Sequence, residues 1–565
     1  MNIIMESSRQ KDKNVKIILE KNIDSFGINK IYVQKFLMKL WENPKLIFTI
    51  LKNVELKELK EKLAPFIVDN FYNNYLSGNY LENNLLYVIA LMIKEEVDKL
   101  RDMEQVLTFL DDSRCGYLLQ QLIKKIDVQI YFKKMIMGTV SKIDNCTSGK
   151  INFNINEINK RISWLKSEKT TNNYDANLLK NAKESYKHNS NTTSFLIDIN
   201  VNYLEKMIQN DKIKNNKGMI DYIEKLIEEI KIYKNPDYYS NSCLLQNLKN
   251  LKSPTEILAI YKDHITEIIS FINKLIEDLT SNTFLIPHSV KYICKIISIL
   301  IKKKFKNIRA VDINAFISKF FLGKLLIPII SSPTHNAYIT DFVISENTLK
   351  NIKSTNIVLS KLFSGCLFNN NMRDGNFTPF NKYFIEKMPD ILFFFEKATE
   401  VKLPSFIEDL LENKLEENFE YDYFEQNRES IYSNVSIVYK ISDLESLVKA
   451  LQNCQGIFEN KTKDKNEKMD KFKLIYNKFK GGEIIQNIKV VEEKIINKYS
   501  SKIQSELELE KKKEKDKKKE KSCPIEIECY FLFMEEIYED KYKFIFKLEN
   551  NESNYIIDLH SLKKK

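Results

Sequence analysis

The stretch TFLDDSRCGYLLQQL, residues 108 to 122, holds the residues best placed to do chemistry. Two carboxylates, Asp111 and Asp112, and the hydroxyl of Ser113 come directly before Arg114, and an apolar helical run follows. An arginine at the edge of a loop can hold positive charge where negative charge develops on a bound partner. It can equally be a solvated side chain at the start of a helix. The pattern leaves both interpretations open.

Sequence motifs of a self-contained enzyme are missing. There is no Walker loop, no G-x-G-x-x-G, no H-E-x-x-H and no C-x-x-C, and the chain has only 12 glycines from which to build a phosphate cradle. Its eight cysteines and five histidines are scattered without metal-ligand or paired spacing. We therefore predict no metal site and no cofactor, and a reduced, cytoplasmic protein that is not itself a hydrolase.

The elements that would position these residues are predicted to be helices. Only 12 glycines and 11 prolines occur in 565 residues, and so few helix breakers favour long helices over sheets. Apolar residues recur at three- and four-residue spacing in 30–145 and again in 217–460, which predicts an all-α domain in two parts. The polar stretch 146–216 between them is predicted to be a low-complexity insertion, with some helix, looped out of the fold.

The two ends of the chain differ from this helical body. Residues 1–29 are predicted to be a polar lead-in. Residues 461–521 end in ELEKKKEKDKKKEK and are predicted to be a charged helical or disordered linker. In 522–565 polar and apolar residues alternate in IEIECYFLF, KYKFIFKLE and NYIIDL, which predicts a small C-terminal antiparallel β piece of three strands.

The charge balance restricts the partners. A net charge of +11, from 88 basic and 77 acidic residues, fits an acidic partner or an anionic membrane surface bound through the basic tail. No nucleic-acid motif accompanies it, so we predict no nucleic-acid partner. The first residues lack the apolar core of a signal peptide, and no run approaches the ~20 apolar residues of a membrane-spanning helix.

Three stretches carry a family resemblance. INAFISKFFLGKLLIPIISSPTHNAYI resembles the F-L-R-x-x-x-P-A-I-x-x-P signature of Ras-type GTPase-activating (Ras-GAP) domains, with Pro328 and Pro333 on its two prolines. NFTPFNKYFIEKMPDILFFFE looks like the segment that follows the signature in that family, and NTFLIPHSVKYICKII is similar to the helix before it. The resemblance covers about 30 to 455. It is nearest to endocytic Ras-GAP proteins that also carry a Rab-exchange domain, and next to the IQGAP group.

The resemblance implies an all-helical fold that cradles a GTP-bound small GTPase and inserts an arginine finger into its nucleotide site. Aligning GYLLQQLIKK with the helix after the finger places Asp111 at the finger position and Arg114 three residues later. Arg114 is then either a displaced catalytic finger or a structural arginine. Asp112 and Ser113 would lie beside it as GTPase contacts.

Two lysines complete the site that the resemblance implies. Lys324 replaces the signature arginine, which lies four residues before the first proline and supports the finger loop. Lysine keeps the charge but lacks the planar, multi-donor fork of arginine. Lys361, in IVLSKLFSG, occupies a position where the family has a basic residue.

The sequence therefore predicts a regulator of small GTPases in endocytic or vesicle-trafficking signalling, with a degenerate arginine finger. It would be cytoplasmic and peripheral at endocytic membranes. The alternative is a non-catalytic effector or scaffold of the IQGAP type that binds a GTPase without accelerating hydrolysis.

Overall fold

The computed structural model describes residues 44–413, apart from 72–77, 147–150, 168–195, 236, 250, 252–253, 333–343 and 372–373, and also 3–7, 15–20, 436–440, 450, 526–534 and 543–549. The chain forms two compact units. One comprises 1–88 with 416–565, and the other comprises 89–415. The two predicted helical parts, 30–145 and 217–460, thus extend beyond the second unit at both ends.

The first unit contains a five-stranded antiparallel sheet in the order β1-β2-β5-β4-β3. The strands are β1 Ile3–Ser7, β2 Val15–Glu20, β3 Ser436–Lys440, β4 Glu526–Met534 and β5 Lys543–Glu549. In the β4–β5 pair, Cys529 lies opposite Phe546. The C-terminal β piece of three strands stays a prediction because its last strand, at 554–559, lies outside the described residues. The linker at 461–521 lies outside them as well.

Helices follow the first two strands along the chain. They are α1 Pro44–Asn53, a short turn Leu56–Glu58, a π-helical turn Leu59–Leu63 and α2 Ala64–Phe71. The next helix, α3 Gly78–Lys99, spans the boundary between the two units at residue 88.

The second unit is helical throughout its described residues apart from short connections. Its α-helices are α4 Arg114–Gln120, α5 Ile126–Asp144, α6 Ile155–Ser167, α7 Val201–Ile208, α8 Asp211–Lys214, α9 Lys217–Tyr233, α10 Ser242–Lys249, α11 Pro254–Ser281, α12 His288–Lys304, α13 Ala310–Phe320, α14 Ile327–Ser331, α15 Glu346–Phe363, α16 Phe380–Thr399 and α17 Ser405–Glu412. Short 3₁₀ turns lie at Met103–Leu107, Gln121–Lys124, Thr283–Leu285 and Gly375–Phe377, and a π-helical segment at Phe321–Leu326 joins α13 to α14.

Helix α11 is the centre of this unit. Proline suits its first position, where the missing N–H would have no helical partner. Its buried residues recur every three or four positions from Ile257 to Leu279, so one broad face is apolar. Helices α5, α6, α15 and α16 all pack against α11.

The continuous helical segment Ala310–Ser331 is the other main core element. By length and composition it would suit a membrane span, which the sequence did not lead us to expect. Core helices of soluble proteins pass the same test, and 67% of its most apolar window is buried inside the fold. Phe320 and Phe321 are fully buried, and the ring of Phe321 lies 5.0 Å from that of Phe394 on α16. We therefore assign this segment to the core.

The ends of the second unit lie side by side. Lys94 Nζ donates a hydrogen bond to Asn413 Oδ1, and Lys303 Nζ donates one to the carbonyl of Leu411. The chain therefore enters and leaves this unit at one place.

The predicted looped-out insertion at 146–216 is wrong for its first described residues. Phe153 is buried and its ring lies 5.9 Å from that of Tyr261 on α11. The backbone N–H of Ile151 donates to Asn351 on α15 at 2.8 Å. Polar composition hid this anchor because Asn, Lys and Ser surround a few apolar residues at helical spacing in α6. Residues 168–195 lie outside the described part of the chain.

Candidate functional site

A tight loop before α4 carries the predicted finger position. Leu110 and Asp112 both adopt positive φ angles, 64° and 43°, which non-glycine residues rarely do. Asp111 lies between them with an exposed carboxylate. Such a backbone persists only where neighbouring groups hold it.

Two lysines hold this loop from the helix that carries the signature. Lys324 Nζ lies 3.7 Å from one carboxylate oxygen of Asp111, and Lys319 Nζ lies 3.4 Å from the other. Lys319 also donates a hydrogen bond to the backbone carbonyl of Leu107. We call these four groups the clasp: the Asp111 carboxylate, the Leu107 carbonyl and the ammonium groups of Lys319 and Lys324. Asp111 is half exposed, so each ion pair is screened by water and contributes modestly.

The π-helical segment explains why two lysines five residues apart meet one carboxylate. In a regular α-helix, residues five apart point in directions about 140° apart. The segment Phe321–Leu326 adds a residue to the turn, and the N–H of Ile327 donates to the carbonyl of Leu322. The wider turn brings Lys319 and Lys324 closer to one face.

Pro328 follows directly after this π-helical segment. In a regular helix its ring would clash with the carbonyl four residues earlier, and it has no N–H to donate. The wider turn accommodates the proline, so the helix continues to Ser331 and does not break. The second signature proline, Pro333, lies outside the described residues.

The start of α4 packs directly on the back of the loop. Ser113 caps the helix, because its hydroxyl accepts the N–H of Gly116 at 2.9 Å. A Cβ added to Gly116 would lie 2.0 Å from the carbonyl oxygen of Leu110. Only glycine allows Leu110 to come this close, so Gly116 is a structural requirement of the loop.

Tyr117, on the same helix, donates a hydrogen bond to Asp112 at 3.0 Å, and this hydrogen bond raises the pKa of the tyrosine.

Arg114 is the first residue of α4 and is partly buried. The backbone after it is already helical, so its Cα is fixed at the helix start and not at the tip of the loop. Asp111 and Asp112 form the tip of the loop.

A hydrophobic floor supports the loop and the helix. Phe109 is buried, and its ring lies 5.2 Å from that of Phe316 on α13 in an edge-to-face arrangement. Cys115 is fully buried, and burial raises the pKa of its thiol, so it acts as a small apolar side chain and not as a nucleophile.

Lys361 is placed differently from the other predicted site residues. It lies on α15, where its ammonium is 3.5 Å from the carboxylate of Asp374 and 5.6 Å from the centre of the Phe368 ring. The contacts that the structure gives Lys361 are with this second group and not with the loop. The structure therefore brings Lys324 to the loop, whereas Lys361 contacts Asp374 and Phe368.

The region that contains the loop and the clasp resembles a known protein family. Residues 88–364 match the model of the family described as GTPase-activator protein for Ras-like GTPase. This range is just under half of the chain and is similar to Ras-GAP domains. The match supports the predicted resemblance to the Ras-GAP family, and the helices of the described residues support the predicted helical fold. No curated protein matches the chain.

The Ras-GAP domain implies a small GTPase as its partner and regulation of such GTPases as its role. The loop and the clasp both lie inside the matched range, as do Lys361 and Arg114. The clasp, Asp112 and Arg114 together carry three cationic and two anionic side chains. The loop tip therefore carries two exposed carboxylates, and that of Asp111 is paired with the two lysines of the clasp.

Sequence reasoning missed Lys319. The signature drew attention to Lys324, and α-helical periodicity puts a residue five positions earlier on a different face. The available signal was Pro328, since a proline inside an unbroken apolar run requires a local departure from α-helical geometry. Within the described residues, no group of His, Cys, Asp and Glu side chains is arranged to hold a metal ion.

Proposed function

We propose that this Ras-GAP domain binds the GTP-loaded form of a small GTPase and accelerates hydrolysis weakly or not at all. The observation that carries the proposal is the clasp. At the position where the family resemblance implies a free arginine, this chain has Asp111, with its carboxylate between two lysines. A carboxylate there repels the phosphates of GTP and supplies none of the positive charge that phosphoryl transfer needs.

The rate acceleration that an arginine finger supplies is large, so its absence determines whether the domain accelerates GTP hydrolysis. An arginine finger is worth about 10³–10⁵ in rate, which corresponds to roughly 4–7 kcal/mol of barrier. A domain without one still buries surface against its GTPase and keeps its complementary charges. Binding without acceleration is the behaviour of an effector or scaffold of the IQGAP type.

A displaced finger is the second candidate function. Arg114 begins α4 immediately after the loop, and a long side chain can cover part of the distance of about one helical turn, ~5 Å, back to the finger position. In that case the domain would be a true activator, and Arg114 would be its catalytic residue.

Two measurements separate these functions. Single-turnover GTP hydrolysis with a Ras-type, a Rho-type and a Rab-type GTPase, at saturating full-length chain, tests for acceleration. Affinity capture of each GTPase loaded with GDP or with a non-hydrolysable GTP analogue tests for binding. We expect selective capture of one GTP-analogue form with less than tenfold acceleration. Equal capture of both nucleotide forms, or of neither, would contradict the proposal.

We further propose a cytoplasmic protein that acts at endocytic membranes, on the strength of the resemblance to endocytic Ras-GAP proteins. Imaging of the tagged full-length chain with endosomal markers tests the location. A diffuse signal that never overlaps those markers would contradict it.

The basic block at 511–521 gives a membrane prediction that can be tested separately. It carries eight lysines and three acidic residues, and each lysine near an anionic surface contributes about 1 kcal/mol before the acids are discounted. We expect weak co-sedimentation with phosphatidylserine vesicles that disappears in phosphatidylcholine vesicles. Replacing four of the lysines with glutamine should abolish it. Sedimentation that ignores lipid charge would rule out this role for the tail.

A further inference from the structure

Leu107 is a large apolar side chain displayed beside the loop. It is 64% exposed, among the most exposed large apolar side chains in the described part of the chain. It ends the 3₁₀ turn Met103–Leu107, and the buried Phe109 follows two residues later. A single exposed leucine is common on protein surfaces. Leu107 is distinguished by its place directly before the loop and by the contacts that fix its backbone.

The backbone that carries Leu107 is held at both ends. Asp102 caps the turn by accepting the N–H of Gln105 at 3.1 Å. At the other end, Lys319 donates to the carbonyl of Leu107. The local sequence supplies the first of these contacts, whereas the second comes from α13, more than 200 residues away along the chain.

Lys319 is suited to this task by its position. Its side chain is 24% exposed, and its ammonium contacts two protein oxygens. One ammonium group contacts both the Leu107 carbonyl and the Asp111 carboxylate. It thus ties the start of the loop to its tip.

We propose that Leu107 is an apolar contact for the partner GTPase, and that Lys319 is the positioning residue that fixes it in place before binding. The inference rests on the proposed function. A preordered apolar anchor loses little conformational entropy on association, and interfaces concentrate their binding energy in such anchors. The clasp therefore organises a docking edge where the family resemblance implies a catalytic finger.

The test uses the full-length chain and four variants. Leu107→Ser removes the proposed contact, and Leu349→Ser is its control, an exposed leucine on α15. Lys319→Met removes the tether, and Lys319→Arg restores a donor. The probes are the Ras-type, Rho-type and Rab-type GTPases loaded with a non-hydrolysable GTP analogue. Three quantities are measured: Kd, the thermal midpoint, and amide hydrogen exchange of residues 103–113.

We expect Leu107→Ser to raise Kd at least tenfold with an unchanged thermal midpoint, and Leu349→Ser to change Kd less than twofold. Lys319→Met should speed exchange across 103–113 at least tenfold and raise Kd by about the same factor as Leu107→Ser. Lys319→Arg should return both quantities to within threefold of wild type. A purely structural lysine would lower the thermal midpoint without this linked change in exchange and affinity.

Three results would overturn the inference. Unchanged exchange in Lys319→Met shows that the lysine does not order the loop. Faster exchange with unchanged Kd shows that the loop is not at the interface. An unchanged Kd in Leu107→Ser shows that Leu107 does not contact the GTPase. Failure of the wild-type chain to bind any of the three GTPases instead refutes the proposed function and the partner part of this inference, while the exchange measurement still decides whether Lys319 orders the loop.

Discussion

At the scale of single residues, the position of a charge along the backbone matters more than its presence in a motif. Arg114 and Asp111 are three residues apart, yet one starts a helix and the other lies at the tip of a loop. An arginine finger works by placing a cation against the transferred phosphate, and here the tip offers carboxylates. Lys319 and Lys324 compensate the charge of Asp111 within the same chain, without a partner.

The first residue-scale prediction concerns Arg114→Ala. We expect GTP hydrolysis by a bound GTPase to change less than twofold, because the side chain leaves from a helix start that is partly buried. Lys134→Ala, an exposed lysine on α5, is the matched control for loss of a cation. Single-turnover hydrolysis measures both variants. A drop of ~10³ for Arg114→Ala alone would establish the displaced finger and replace the binder interpretation.

The second residue-scale prediction concerns pH. Burial lowers the pKa of His264 to about 4, and its Nδ1 lies 2.8 Å from the backbone oxygen of Asn152. The nearby charge of Arg161 also disfavours the protonated ring. In the unfolded chain the pKa returns to about 6.5, so below that pH the unfolded state binds a proton that the folded state refuses. The stabilising contribution is therefore full above pH 6.5 and is lost as pH falls toward 4.

Urea denaturation at pH 7 and pH 5 measures this effect. We expect His264 to account for a loss on the order of 1–2 kcal/mol in the free energy of unfolding between these two pH values. His264→Gln, which cannot titrate, should show a pH dependence that is smaller by that amount. Identical pH dependence in wild type and His264→Gln would show that the histidine is not held neutral.

The site residues divide into those that the sequence could reveal and those that it could not. Lys324 was found because the proline that follows it marks the register of the signature. Lys319 was missed because its role depends on an extra residue in the helical turn, which α-helical periodicity does not include. Lys361 was included in the site by family register alone, and its side chain contacts Asp374 and Phe368.

At the scale of elements, the contact between α4 and the loop is closer than ordinary helix packing. A Cβ on Gly116 would lie 2.0 Å from the carbonyl oxygen of Leu110, so this position has no room for a side chain. Helix α4 is seven residues long and depends on this contact and on its Ser113 cap for its position. Short helices are marginal alone, so tertiary contacts decide whether they form.

Paired glycine substitutions test this contact. Gly116→Ala should lower the free energy of unfolding by about 1–3 kcal/mol, since a methyl group there overlaps backbone and not a flexible side chain. Gly323→Ala is the control, because a Cβ at Gly323 has no atom within 4 Å. In a helix that change should be neutral or stabilising by up to ~1 kcal/mol. Equal effects of the two substitutions on thermal denaturation would contradict the close contact.

Element-scale prediction from sequence worked where apolar spacing was strong. The periodicity in 217–460 predicted helices such as α11 and α16, and both are present and carry the core. The anchor at Phe153 was not predicted, because its partners Tyr261 and Phe380 are distant in sequence and its own neighbours are polar. The polarity of a stretch indicates its average exposure to solvent. It does not indicate which individual residues in that stretch are buried against distant parts of the chain.

At the scale of the whole molecule, the compact unit extends beyond the family match. The match ends at residue 364, whereas α16 and α17 belong to the same unit, which ends at residue 415. Phe394 on α16 packs on Phe321 with ring centres 5.0 Å apart, and also contacts Phe363 and Phe395. The core under the signature helix is therefore completed by residues outside the matched range.

Shortened chains test this dependence. We expect a chain of residues 78–415 to give a cooperative thermal transition, since it contains the full second unit and the whole of α3. A chain of residues 78–364 should lack one, because removing α16 uncovers Phe321 and the neighbouring core residues. Circular dichroism and near-ultraviolet spectra distinguish a packed core from a loose one. A cooperative transition in the shorter chain would show that the matched range folds by itself.

Because Lys94 and Asn413 are adjacent, the second unit is suited to insertion into another protein as a whole domain. A guest domain can be grafted into a surface turn of a host protein without stretching the host when its two ends lie together. The same geometry permits circular permutation, in which a short peptide joins the old ends and the chain is opened elsewhere in the unit.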